Sequence, residues 1–157
     1  MKQTLLIFTA LMLVVGYSKE PINGNELVEK DGVMYTKDTN IPYSGDVFGL
    51  YKNGQKEYEG TYKDGKREGL STWWRGDGQK RLERTFKVGK QDGLLIEWYE
   101  NGQKEVEGNF EDGKQDGLWT YYRKDGSNEK EGYFENGLKT HKWWYWDENG
   151  KYYHIIK

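Results

Sequence analysis

The chain has 157 residues, with 24 Lys and Arg against 26 Asp and Glu and a formal net charge of −2; that balance excludes the basic footprint of a nucleic-acid binder and the field of an acidic tail. It carries 7 Trp, 13 Tyr, 5 Phe and 21 Gly but a single alanine, Ala10, which excludes an ordinary helical domain, because the best helix former is missing and the weakest non-proline one abounds. No cysteine is present, so disulfides, thiolate metal sites and a thiol nucleophile are excluded too.

At the amino terminus an apolar run, Leu5 to Val15, follows Lys2. It is too short for the ~20 residues that cross a bilayer and reads as a secretory signal over residues 1–16, with Val14 and Gly16 small enough for the cleavage positions before Tyr17. After cleavage no stable membrane span is expected. The run Val14-Val15-Gly16-Tyr17-Ser18 resembles a bacterial lipoprotein signal in which the residue after glycine is an acylated cysteine. Tyr17 has no thiol, so export to periplasm, envelope or medium without a lipid anchor is expected. Residues 17–30 read as a linker. Residues 31–50 read as a degenerate capping repeat, with a turn at Asp31-Gly32, a short strand at Val33 to Tyr35 and a loop from Asn40 to Gly45 around Pro42.

From residue 51 to 157 the chain repeats. Gly54, Gly78, Gly102, Gly126 and Gly150 are each 24 residues apart, preceded by Asn or Asp. Gly65, Gly89, Gly113 and Gly137 keep the same step, as do Gly69, Gly93 and Gly117, with His141 in the fourth slot. Asn-Gly and Asp-Gly are strong signals for type I′ turns, whose two central residues need positive φ. Such pairs alternate at spacings of 11 and 13, which suit strands and are too short for helices. The expected fold is all-β: an elongated single antiparallel sheet of stacked 24-residue hairpins, each leaning on its neighbours.

Alternate residues of a strand fall on opposite faces. One face varies little between units and holds Trp74, Trp98, Tyr122 and Trp146; these are expected as the packed rungs. The other face differs between units and holds Trp73, Trp119, Tyr121, Trp143 and Tyr145; large rings on an open sheet would form an exposed patch, so these are the candidate binding residues. Gly60, Gly108 and Gly132 are places where a facing ring can lie against the backbone, a series that Arg84 breaks. Lys151 to Lys157 is expected as a final strand with Tyr152 and His154 on one face and Tyr153 and Ile155 on the other.

Two tempting motifs have plainer readings. Gly60 to Lys66 and Gly108 to Lys114 match the first seven positions of a phosphate-binding loop, but Arg67 and Gln115 stand where Ser or Thr must bind magnesium, and the glycines belong to hairpins. His141 and His154 have no partner at metal or catalytic spacing and are expected at solvent or an edge. Glu59, Glu83, Glu107 and Glu131 recur every 24 residues and read as a solvated stripe with cross-strand lysine partners. No catalytic constellation, cofactor or metal is expected.

The unit from Tyr99 to Leu118, Tyr-x-Asn-Gly-Gln-Lys-x-x-x-Gly-x-Phe-x-Asp-Gly-Lys-x-x-Gly-Leu, resembles the bacterial MORN-repeat variant, and Tyr51 to Leu70 matches it equally well. Proteins of this type are labelled YwqK-family antitoxins. The resemblance implies stacked hairpins, no common chemistry, and the neutralising of a toxic partner by binding. The expected function is therefore a non-enzymatic, exported scaffold that binds a protein partner along a sheet face or at an edge strand, where self-association is also open to it. The alternative is an envelope glycan- or choline-binding module built on exposed aromatics. Lipid-surface contact is disfavoured by the near-neutral charge.

Overall fold

The computed structural model describes residues 20–154. The expected signal peptide, Tyr17 and Ile155 lie outside the described residues. Strand β1 (Ile22–Asn23) is followed by a single 3-10 turn (Gly24–Glu26), β2 (Leu27–Lys30), β3 (Val33–Thr36) and β4 (Gly45–Leu50). Four hairpins follow: β5 (Lys56–Lys63) with β6 (Lys66–Trp74), β7 (Lys80–Lys87) with β8 (Lys90–Trp98), β9 (Lys104–Glu111) with β10 (Lys114–Tyr122), and β11 (Asn128–Glu135) with β12 (Leu138–Trp146). Strand β13 (Tyr152–His154) closes the series. Eleven strands form one sheet in the order β1-β4-β5 and then consecutively to β13, while β2 and β3 pair separately. All pairings are antiparallel except β1 with β4. The all-β reading and the 24-residue hairpin are thus both observed.

Residues 22–30, expected as linker, are structured instead. Ile22–Asn23 adds a parallel strand to β4, and Leu27–Lys30 pairs with β3 across the Asp31-Gly32 turn. The reason is burial: Leu27 joins Tyr43, Val47 and Tyr62 in a core cluster, with Ile22, Met34 and Tyr58 packed against it. Two backbone bonds bind this cap to the Gly65 turn of the array, Met34 N–H to the Gly65 carbonyl (2.9 Å) and Gly65 N–H to that of Tyr43 (2.7 Å), while Tyr43 N–H bonds to the Met34 carbonyl (2.8 Å) within the cap.

The turns are of two kinds, where one was expected. Asp64-Gly65, Val88-Gly89, Asp112-Gly113 and Asn136-Gly137 have positive φ at both residues, as type I′ requires. At Asn53-Gly54 and its copies only the glycine is left-handed. There Gly54 N–H bonds to the Tyr51 carbonyl at 2.9 Å while the Asn53 side chain accepts from Gln55 N–H at 3.1 Å, a longer turn held by its Asx side chain.

Each second strand also carries a bulge. Between β9 and β10 the register moves by two residues between Asp116 and Thr120, so Gly117, Leu118 and Trp119 oppose Gly108 alone. The same slip occurs between β5 and β6 and between β7 and β8. In the fourth hairpin it persists without glycine: the Thr140 hydroxyl donates to the Tyr133 carbonyl at 3.0 Å and accepts from Lys142 N–H at 3.3 Å. Bulges bend a strand and increase its twist, and one recurs in every unit.

The face that holds the core is the one expected to be open. Trp119 and Trp143 are only 3% and 4% exposed and form the main core cluster with Leu95 and Val106, against which Leu82, Phe110, Tyr121, Phe134 and Tyr145 pack. Trp119 lies over Gly108 and Trp143 over Gly132, where a methyl group would sit 2.3 Å from the indole in each case. The expected ring-on-glycine contact is therefore real at these two positions. At Gly60 the neighbours are the Tyr58 and Ser71 hydroxyls.

Candidate interaction surface

The strand registers place the recognised residues on two faces. Trp73, Tyr121 and Tyr145 share one row with Tyr58, Leu82 and Val106. Trp119 and Trp143 sit beside it through Gly132. All five candidate binding residues thus lie on the core face, and the assignment of this face as the open one is corrected. Trp74, Trp98, Tyr122 and Trp146, expected as core rungs, lie on the opposite face and are only partly buried. Alternation separates two faces, but which one closes is decided by how side chains of neighbouring strands pack, here around Leu95, Val106, Trp119 and Trp143.

The core face holds one cage already filled by the chain. The Arg67 guanidinium lies 5.1 Å from the Tyr58 ring and 5.5 Å from each of the Tyr62, Trp73 and Phe86 rings, and it donates to the Tyr58 hydroxyl at 2.9 Å. Such a box suits an organic cation, and here the cation is internal. Burial, with the neighbouring Tyr58 adding to it, pushes the Tyr62 hydroxyl up to about 12. In the fourth unit Lys139 occupies the corresponding position, 3.9 Å from the Trp143 ring.

On the opposite face, Glu59, Thr72, Glu83, Ile96, Glu107, Thr120, Glu131 and Trp144 form one row. Three of the four glutamates are paired, though not across strands as expected: Lys56, Lys80 and Lys104 each reach a carboxylate three residues ahead at 2.5 Å, whereas Asn128 stands in the lysine slot before Glu131. Lys56 and Lys80 also lie over the Trp74 and Trp98 rings, at 5.1 and 5.8 Å. In the third unit Tyr122 donates its hydroxyl to Glu107 at 2.5 Å. Burial alone would raise the Glu107 carboxyl, but the hydrogen bonds from Lys104 and Tyr122 outweigh it and the pKa is lowered. Burial and the bond to Glu107 push Tyr122 up to about 12.

Above this polar row, Leu70, Leu94 and Leu118 stand 54%, 44% and 41% exposed. They recur every 24 residues, two strands apart, hence at roughly 10 Å intervals across the sheet. In the fourth unit Lys142 takes the slot. The sequence signal for these leucines is their 24-residue period on the face that also carries Trp74, Trp98 and Tyr122. His141 and His154 are exposed, as expected.

An open cleft of about 900 Å³ lies on the same face in the fourth unit, lined by Tyr133, Glu135, Leu138, Thr140, His141, Lys142 and Trp144 among others. The Tyr133 and Trp144 rings meet there edge to face, 6.4 Å apart at 70°. Among the described residues there is no group of three or more His, Cys, Asp or Glu that could hold a metal ion, and no helix long and apolar enough to cross a membrane.

No family model and no curated protein matches the chain. Among solved structures it is similar to a chain of the GtfA/B complex bound to UDP and GlcNAc, at 12% identity and a TM-score of 0.27, over 83% of this chain and 23% of that one.

Proposed function

We propose that the chain is a non-enzymatic repeat scaffold that binds a protein partner on the face carrying Leu70, Leu94 and Leu118. The observation that carries this reading is the exposure of three large aliphatic side chains in register, beside a row in which three of the four glutamates are internally paired. An apolar row of this kind on a folded surface marks an interaction site, and the paired charges leave little long-range field to compete with it. Neutralising that partner, as an antitoxin or immunity protein does, is the role the MORN-variant resemblance implies, and export would deliver the scaffold to the envelope or beyond.

The test is a photo-crosslinking residue at position 94, which should capture one protein from the native envelope. Purified, that protein should bind the intact scaffold and lose at least tenfold in affinity when Leu94→Asp and Leu118→Asp are combined, with the melting temperature little changed. Equal binding by the variant would reject the leucine face. Burial of Trp119 and Trp143 and the Arg67 guanidinium in the aromatic cage remove these groups as an exposed surface for a protein partner and for the alternative glycan or choline ligand alike.

A further inference from the structure

The repeat allows each position of one unit to be compared with its copies in the other three. The fourth unit departs from them at many positions, including the following five. Tyr133 stands where the others carry Thr61, Thr85 and Asn109, and Trp144 where they carry Thr72, Ile96 and Thr120. His141 replaces Gly69, Gly93 and Gly117, Lys142 replaces Leu70, Leu94 and Leu118, and Thr140 replaces Glu68, Asp92 and Asp116. All five line the open cleft.

Terminal position explains one of these changes. Glu68, Asp92 and Asp116 each accept the N–H of the left-handed turn residue one unit further on, at 2.8, 3.2 and 3.3 Å, and among the described residues no such turn follows Thr140. It does not explain the others. A capping unit normally becomes more polar on its outer surface, whereas this one gains a Trp and a 42% exposed Tyr.

We infer that the cleft binds a sugar residue bearing an anionic group, its ring against Tyr133 and Trp144 and its charge toward His141 and Lys142. Two rings at 70° make a floor and a wall, and the apolar face of a pyranose fits against such a surface. Glu135 and Asn136 at the rim offer acceptors and an amide to hydroxyl groups, which favours a sugar over a nucleobase. Lys139 is engaged elsewhere, over Trp143 and with its ammonium donating to the Tyr145 hydroxyl at 3.0 Å, so Lys142 is the ammonium open to the ligand and His141 an imidazole beside it that can donate a hydrogen bond. The cleft's volume exceeds one monosaccharide and suits a short chain. This inference does not depend on the leucine face.

The anion can be a uronate or a phosphate, and the titration separates them. Full-length protein is titrated with trigalacturonate, glucose 6-phosphate, maltotriose and uridine monophosphate, read by tryptophan fluorescence and by amide shifts. One of the two anionic sugars should saturate, weaken with added salt, bind at least tenfold tighter than maltotriose, and shift amides within 133–144. Tyr133→Asn with Trp144→Thr should abolish saturation; His141→Gly with Lys142→Leu should remove the preference over maltotriose. Each substitution restores a residue that another unit already carries, so the hairpin is kept, and the amide map on the intact protein stands even if a variant misfolds. Absence of saturation with both anionic sugars, shifts outside the cleft, equal binding of maltotriose, tighter binding of uridine monophosphate, or unchanged binding by a folded ring variant would each overturn the inference.

Discussion

Val88 has φ 50° in a type I′ turn, a conformation in which a β-branched residue is an outlier and which costs on the order of 1–3 kcal/mol. Its counterparts are Asp64, Asp112 and Asn136, residue types that tolerate this region. Val88→Asn should therefore stabilise the protein by about 1 kcal/mol, raising the melting temperature by roughly 2–4 °C; no rise would mean the strain is absent. Trp119 sits over Gly108 in the core, so Trp119→Ala should cost ~3–5 kcal/mol. Trp98→Ala, on the half-open face, should cost distinctly less, and denaturant titration of the two variants side by side checks the order. The Tyr122–Glu107 bond couples stability to pH at both ends. Glu107 has a lowered pKa when folded, so its contribution holds above the ordinary carboxylate range and is lost as pH falls through the folded value. Tyr122 is raised from 10.0 to about 12, so its contribution is complete below pH 10 and is lost between there and about 12. Tyr122→Phe should remove the alkaline limb of a stability profile and reduce the acid limb, which Lys104 still sustains, while leaving the middle of it nearly level.

Between elements, the units are stitched along one end of the sheet by a device that alternates in chemistry. Tyr51 and Tyr99 donate their hydroxyls to the carbonyls of Trp74 and Tyr122, at 2.7 and 2.8 Å. Arg75 reaches that of Trp98 at 2.5 Å, and Arg123 that of Trp146. Each bond spans 23 residues, from the long turn that opens a unit to the strand end that closes it and leads into the next. At the other end a turn glycine bonds back to the preceding unit, as Gly89 N–H does to the Arg67 carbonyl at 2.8 Å. Tyr99→Phe should lose about 1 kcal/mol through the orphaned carbonyl, while Tyr99→Arg, which copies the neighbouring units, should recover most of it. Equal melting of all three proteins would remove the stitch from the account.

Across the whole molecule, stability is a sum over units and their interfaces, because every strand after the cap pairs with its neighbours in sequence. Removing residues 75–98 rejoins Trp74 to Tyr99 in phase, and the shortened chain should fold with unchanged β dichroism, a lower melting temperature and an m-value reduced in proportion to the surface lost. A chain that failed to fold would show that the second unit, where Arg84 and Leu95 replace the ring-on-glycine contact, is indispensable.

What was legible in the chain was everything local. Asx-Gly pairs at spacings of 11 and 13 specify turn, strand and hairpin because turn dihedrals and strand alternation are set within a few residues of each other. The ring-on-glycine contacts at Gly108 and Gly132 were legible for the same reason. Three things were decided only in three dimensions. The cap's β1 and β2 exist because Ile22 and Leu27 meet Tyr43, Val47 and Tyr62 from far along the chain. The cleft exists because Tyr133 and Trp144, on different strands, come to one face. And Trp119 and Trp143 are buried while Leu94 and Leu118 are open, since a period of two separates the faces of a sheet without saying on which of them side chains from neighbouring strands will pack together.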